Sequence, residues 1–243
     1  MIKLGDYDSP FGIISVLCSI STGAIIYEQA GEFQSESDRD GTSLAAYIHA
    51  LFGLIWEAKA KSVLMVGGAG GTLGTMLARK GCNVTIVDIN PTSFPLARTY
   101  FNLPDSVRCV VADGRDFLLA DARNYDAIVL DAYHGDRIPS HLQSLSFFRL
   151  ARSRLTSGGA FFVNIHIAHD TDIVADQIVD CMADVWPEVR LLDTSGLHRR
   201  NAIAMGGAVS KLGRPYLLMF PAADANLVDA ELAAMNYRSL NAR

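Results

Sequence analysis

The sequence is short of the residues that mark several simple classes of protein. Only four of its 243 residues are cysteine (Cys18, Cys82, Cys109, Cys181), and no two form a CxxC pair. That spacing offers no framework for a disulfide-stapled scaffold or a zinc ribbon, and it leaves the four as small apolar residues in a reducing compartment. Charge is also sparse. Asp, Glu, Lys and Arg make up 19% of the chain, the net charge is −5, and no basic stripe occurs, so no nucleic-acid partner is expected. Long hydrophobic runs are missing as well. The longest early run, Phe11 to Cys18, is too short to cross a bilayer and rich in β-branched residues. The opening Met1-Ile2-Lys3-Leu4-Gly5-Asp6 lacks the basic region and long apolar stretch of a secretory leader. A cytoplasmic protein with no membrane partner is therefore expected. There is no internal repeat and no low-complexity tract.

What is present is a globular composition, half of it apolar, at a length suited to one main domain. Residues 1–40 read as a small N-terminal β element, and residues 41–243 as an α/β domain. In the first part, two short β-rich runs at 12–17 and 24–28 flank the turn-rich Ser19-Ile20-Ser21-Thr22-Gly23. A polar stretch from Gln34 to Gly41 follows, and Thr42 is placed to cap a helix running to about Lys59. From residue 62 strands and helices alternate. Strands are expected at 62–66, 83–87, 107–112, 127–130, 160–165, 189–192 and 202–205. Helices are expected at 71–80, 94–101, 142–155 and 172–185, with one more after Pro221. The strands are almost continuously apolar, which predicts a mostly parallel sheet covered on both faces. The last two lie close together, as an antiparallel pair would.

In an open α/β sheet, ligands bind outside the carboxyl ends of the strands. The first strand ends in Val66-Gly67-Gly68-Ala69-Gly70-Gly71, a turn that brings backbone close to a ligand at a helix start. It departs from the dinucleotide pattern GxGxxG, because Leu73 falls on the last position. The same turn also serves plain strand–helix packing. The second strand ends in Asp88-Ile89, where a carboxylate suits ribose hydroxyls or a helix cap. The third ends in Asp113-Gly114, with Asp113 either facing an adenine amino group or capping the next helix. The fourth ends in Asp131, after Ala127-Ile128-Val129-Leu130, and leads into a loop with Tyr133, His134 and Asp136. Asp131, Tyr133 and His134 are the catalytic candidates, with Asp131 able to orient or deprotonate an attacking amine.

Residues 62–165 resemble the spermidine synthase (polyamine aminopropyltransferase) family, which is built on the class I methyltransferase fold. The likeness rests on Val63-Leu64-Met65-Val66-Gly67-Gly68-Ala69-Gly70-Gly71-Thr72-Leu73 and on Asp113-Gly114 with Phe117-Leu118. It continues through Tyr125-Asp126-Ala127-Ile128-Val129-Leu130-Asp131, Phe147-Phe148, Leu155 and Gly158-Gly159. Gly31-Glu32-Phe33-Gln34-Ser35 is similar to that family's small β-domain, so the resemblance covers most of residues 11–165. It implies a Rossmann-like, seven-stranded, mostly parallel sheet behind an N-terminal β-hairpin element. The bound nucleoside would be S-adenosylmethionine or its decarboxylated form, leaving S-adenosylhomocysteine or methylthioadenosine as product. Asp88 would hold the ribose, Asp113 the adenine, and Gln34 would lie beside the nucleoside. Gly67, Gly68, Ala69, Gly70, Ile89 and Gly114 complete the cofactor-binding set, and Asp131 would be the base-like carboxylate. The resemblance also implies a homodimer and a small amine as substrate.

Two positions depart from the family pattern. Ala69 stands where the family carries an Asp inside the glycine loop, and His134 stands where a second Asp follows the fourth strand. Polyamines are multiply charged cations that call for paired carboxylates, so these changes favour S-adenosylmethionine as donor or an acceptor that is not a polyamine. A methyltransferase acting on a small molecule, or a non-catalytic nucleoside-binding protein, are the alternatives. Elsewhere, Asn164-Ile165-His166-Ile167-Ala168-His169-Asp170 lacks an obvious third metal ligand, so no metal is expected; His166 reads as a pocket wall and Asp170 as a cap. His198-Arg199-Arg200-Asn201 reads as a solvated turn, or else as a partner for an acidic substrate group. Trp56 and Trp186 read as packing anchors.

Overall fold

The computed structural model describes residues 1–240. Its N-terminal part is a four-stranded antiparallel meander of β1 (Ile2–Tyr7), β2 (Ile14–Cys18), β3 (Ile25–Gln29) and β4 (Glu32–Ser37), in that order. The expected hairpin is β2–β3. It is extended on one side by β1, and on the other by β4, which takes up half of the polar stretch after Gln34. Those polar residues form a strand because β4 pairs with β3, from Ile25↔Ser37 to Gln29↔Glu32.

The remainder alternates strand and helix: α1 (Ala46–Glu57), β5 (Ser62–Val66), α2 (Thr72–Arg79), β6 (Asn83–Asp88), α3 (Ser93–Tyr100), β7 (Arg108–Val111), α4 (Gly114–Ala120) and β8 (Tyr125–Leu130). Then come α5 (Leu145–Ser153), β9 (Leu155–Ile167), α6 (Val174–Ala183), β10 (Val189–Asp193), β11 (Arg200–Gly207), α7 (Ala225–Ala234) and β12 (Asn236–Tyr237). The sheet order is β12-β10-β11-β9-β8-β5-β6-β7. Strands β7, β6, β5, β8 and β9 run parallel. Strands β11 and β10 are antiparallel, with β11 inserted between β9 and β10. Seven strands are those the sequence predicts; β12 adds a two-residue edge. The chain direction reverses at β5, with β6 on one side and β8 on the other, and that is where an open α/β sheet binds its ligand.

Both faces of the sheet are covered. Along β5, Val63 and Met65 join the core under α1, α2 and α7, whereas Leu64 and Val66 join the core under α4, α5 and α6. This is the period-two alternation of a strand buried on both sides. A third cluster packs Ile14, Val16 and Tyr27 against Leu96 and Phe101, and so docks the N-terminal sheet on α3.

Several local expectations are corrected. Helix α1 is preceded by Ala45, with no side-chain cap; Thr42 is buried in the turn that Asp38 organises. Helix α6 is preceded by Ile173, with no side-chain cap; Asp172 before it accepts from Val174 N at 3.0 Å, while Asp170 pairs with Arg200. Helix α5 stops at Ser153, and β9 begins at Leu155, ahead of Gly158-Gly159, because Leu155 pairs with Tyr125. Trp186 is buried and stacks on Phe161, but Trp56 is 41% exposed and carries Lys61 over its ring.

Candidate active site

The tips of β5 and β8 meet at a residue that has to be glycine. Gly67 has φ of +90°, and a Cβ there would lie 2.1 Å from the backbone oxygen of Asp131. Only a residue without a side chain lets the two strand ends close together. This contact sets the glycine loop beside Asp131. The loop is held in turn by Asp88, whose Oδ2 accepts from Gly68 N at 3.0 Å and Ala69 N at 3.3 Å. Burial pushes the Asp88 carboxyl up, and these backbone donors oppose the shift. From the N-terminal sheet, Ser35 Oγ accepts from Gly70 N at 3.1 Å. Ala69 itself sits in the left-handed region, with φ of +41°, an uncommon conformation for a residue with a Cβ.

A cavity of about 260 Å³ opens between the two sheets. Its lining includes Gln34 and Ser35 from β4, Tyr47 from α1, Gly68 and Ala69 from the loop, and Asp131 and Tyr133 after β8. Asn164 and His166 from β9, with Asn201 from β11, complete the far wall. The register explains that wall. Asn201 pairs with His166 across β9–β11, and Asn164 lies two residues along on the same face. Asp131 is the centre of the polar network. Asn164 Nδ2 donates to Asp131 Oδ1 at 2.7 Å, Asn201 Nδ2 donates to Asn164 Oδ1 at 3.0 Å, and the Tyr47 hydroxyl also donates to Asp131. Burial is the largest influence on Asp131 and pushes its carboxyl up to about 6, with the Asn164 and Tyr47 hydrogen bonds pulling the other way. Burial and the neighbouring Asp131 charge push the Tyr47 phenol well above its ordinary range.

The other sequence candidates fall in distinct places. Tyr133 lines the cavity, but its hydroxyl donates to Asn164 O and accepts from His166 N, both at 2.8 Å, so it fastens the loop to β9. His134 is exposed, its ring against the edge of Phe11 and outside the cavity lining. Ile89 is exposed at the tip of β6. Asp113 caps α4 through Oδ1, which accepts from Arg115 N and Asp116 N, and its Oδ2 lies 2.8 Å from His141 Nε2. Burial raises the Asp113 carboxyl, but the His141 and backbone hydrogen bonds outweigh it, and the net shift is downward. Gly114 is a packing glycine: a Cβ there would meet Val66 Cγ1 at 2.2 Å.

The segment His198–Asn201 is a solvated turn only in its first half, where His198 and Arg199 are exposed. Arg200 is buried against Asp193, Asn201 lines the cavity, and Arg199 lines it while pairing with Glu32 of β4. Tyr47, Asn164, Asn201 and Arg199 were not singled out individually as site residues in the sequence. Tyr47 comes from α1, Asn164 from β9, and Asn201 from the start of β11, with Arg199 just before that strand; the β9–β11 pairing sets Asn164 beside Asn201. Among the described residues, no group of three or more His, Cys, Asp or Glu could hold a metal ion, and no helix is long and apolar enough to cross a membrane.

The strand order, the reversal at β5 and the cavity at that edge frame the likeness to known proteins. No family model matches the chain. It is 32% identical over 130 residues to a probable polyamine aminopropyl transferase of Bifidobacterium longum, a stretch covering 52% of this chain and 29% of that protein. It is 31% identical over 139 residues to the polyamine aminopropyltransferase of Chromobacterium violaceum, covering 54% of this chain and 53% of the relative. Over about half of its length the chain is similar to polyamine aminopropyltransferases. It covers about half or less of the length of these curated relatives. In fold, it superimposes with a TM-score of 0.79 on a probable spermidine synthase from Corynebacterium glutamicum, at 19% identity, covering 97% of this chain and 90% of that one. It also matches human methyltransferase-like protein 13, solved in complex with SAH, at a TM-score of 0.54 and 22% identity, covering 77% of this chain and 88% of that one. The chain thus has the class I methyltransferase fold with an added N-terminal β-sheet.

Proposed function

We propose that this chain is an alkyl transferase that takes S-adenosylmethionine or decarboxylated S-adenosylmethionine as donor and a small amine as acceptor. The observation that carries this reading is Asp131. It is an enclosed carboxylate at the tip of β8, wired to Tyr47 and Asn164, at the floor of a cavity next to the glycine loop. When bound, a sulfonium nucleoside supplies a carbon that is already electrophilic. Asp88 would hold the ribose hydroxyls, with Gln34 and Ile89 beside the nucleoside. Asp113 would meet the adenine amino group once His141 shares or leaves its Oδ2. Asp131 orients the attacking nitrogen and takes up its proton. Tyr47, Asn164 and Asn201 fix the carboxylate so that little reorganisation accompanies reaction. Tyr133 positions the loop, and His134 has no direct part at the reacting end.

A second reading, methyl transfer from S-adenosylmethionine, is favoured by one observation. Ala69 brings a methyl group, not an acid, to the loop. Calorimetric titration with S-adenosylmethionine, decarboxylated S-adenosylmethionine, methylthioadenosine and NAD tests both readings. Binding of methylthioadenosine and of one sulfonium donor, but not NAD, is expected. Binding of no adenosyl compound would refute the donor assignment. We also infer a homodimer through the N-terminal sheet, which exposes Ile2, Leu4, Ile13 and Ile20. Sedimentation as a monomer at micromolar concentration would refute that association.

A further inference from the structure

The cavity holds one guanidinium among its carboxylates. Its charged lining consists of Glu32, Asp131, Asp136 and Arg199. Arg199 Nη2 lies 2.9 Å from both Oε1 and Oε2 of Glu32, so the pair uses only one end of the Arg199 fork. Both side chains stay substantially exposed, at 66% and 45%, and an exposed pair of this kind is weak and readily exchanged. The backbone of Arg199 is fixed: its N–H donates to Ala168 O at 3.0 Å, and its φ is +51°. Asp136 lies 3.8 Å from Arg137. Two of the three carboxylates therefore already face guanidinium groups, and Asp131 is the one left to meet an ammonium.

Such a lining does not suit a ligand bearing only positive charges. A diamine gains from Asp131 but meets Arg199 across the same cavity, and at Ala69 it finds no acid. A ligand end with both an amine and a carboxylate matches the lining at both points. The amine lies toward Asp131, and the carboxylate takes the remaining donors of the Arg199 fork in a charge-assisted contact. We propose that Arg199 is a specificity residue that reads a carboxylate brought into this cavity, so that one of the two substrates presents an amino-acid end there. This inference rests on the donor reading above. The carboxylate has two sources, the tail of S-adenosylmethionine or an amino-acid acceptor.

Two pairs of compounds that differ only by a carboxylate separate these sources. The donor pair is S-adenosylmethionine and decarboxylated S-adenosylmethionine. The acceptor pair is ornithine and putrescine, titrated in the presence of methylthioadenosine. Calorimetry on the wild-type protein is expected to show the carboxylated member of one pair bound at least about tenfold more tightly. Arg199→Met is expected to abolish that preference while leaving methylthioadenosine affinity within about twofold. Glu32→Gln releases Arg199 from its partner and is expected to increase the preference, which keeps a second test available if Arg199→Met folds poorly. Preference within the donor pair assigns the carboxylate to the donor, and preference within the acceptor pair assigns it to the acceptor. Absence of preference in both pairs, or its survival in Arg199→Met, overturns the proposal. Failure of methylthioadenosine to bind the wild-type protein overturns the donor reading itself and is distinguishable from either result.

Discussion

Asp131 combines an electrostatic cost with the proton-accepting role proposed for it. Its carboxyl is pushed up to about 6 because burial outweighs the two hydrogen bonds that favour the anion. A proton acceptor must be ionised, so turnover is expected to fall as pH drops through about 6, with one proton taken up. The stability effect has the opposite sense. Between the unfolded value of 3.8 and about 6 the folded chain binds the extra proton, so Asp131 lowers stability as pH rises through that window. Replacement by Asn removes the buried charge. Asp131→Asn is therefore expected to lower turnover by roughly 10²–10⁴-fold while gaining about 1–2 kcal/mol of stability at pH 8. A steady-state assay and a thermal melt on the same preparation check both. A variant that is inactive and also markedly less stable would mean that Asp131 is structural. The carboxylate was legible in the sequence because four apolar residues lead into it and end at a strand tip. Its partners were not. Tyr47 looks like any aromatic on a helix, and Asn164 and Asn201 become neighbours only through the β9–β11 register.

At the level of elements, the strand-to-helix turns carry the site, and two glycines show how local chemistry fixes each one. Gly67 meets backbone, which cannot move aside, whereas Gly114 meets the Val66 side chain, which can shift. Gly67→Ala is expected to cost about 3 kcal/mol or more and to eliminate nucleoside binding, and Gly114→Ala to cost about 1–3 kcal/mol. Denaturant melts with nucleoside titration rank the two, and equal costs would argue against the Gly67–Asp131 contact. Asp113 illustrates a double role. Asp113→Ala removes the α4 cap, at about 1 kcal/mol, as well as the carboxylate proposed to face adenine. Asp113→Asn, which retains a capping oxygen, is expected to separate the two by keeping stability and losing affinity. The sequence placed every strand from β5 to β11 because each is a run of apolar residues with a polar or glycine stop. It misplaced the α5–β9 boundary, since Gly158-Gly159 looks like a helix stop and pairing of Leu155 with Tyr125 overrides it. It left β1 and β4 undetected because their residues are mostly exposed or half-buried and alternate weakly.

Across the whole molecule, the side-chain contacts least legible in sequence lie in the part of the sheet beyond β9, where the resemblance fades and buried charges organise the packing. Asp193, 1% exposed at the end of β10, receives Arg200 Nε at 2.7 Å and Nη2 at 3.2 Å from β11, and Arg238 Nη1 at 3.5 Å from the C-terminal segment. Arg200 also pairs with Asp170, in the turn after β9, and Arg238 pairs with Asp176 of α6. These partners are scattered along the sequence and follow no periodicity, so the linear sequence shows Arg200 as part of a basic cluster and not as the partner of Asp193. Removing one member of a buried pair strands the other charge. Arg200→Met is accordingly expected to cost about 3 kcal/mol, because Arg238 remains as a weaker partner for Asp193. For a chain of this size that corresponds to a drop in Tm of roughly 6–12 °C. Arg238→Met, on the more exposed side of the network, is expected to cost about 1 kcal/mol. Because Arg200 adjoins Arg199 and Asn201 on the cavity wall, its loss is also expected to weaken substrate binding more than Arg238→Met does, as read by calorimetry well below the melting temperature. Equal losses in the two variants would mean that the network supports the sheet edge alone, without holding the cavity wall in place.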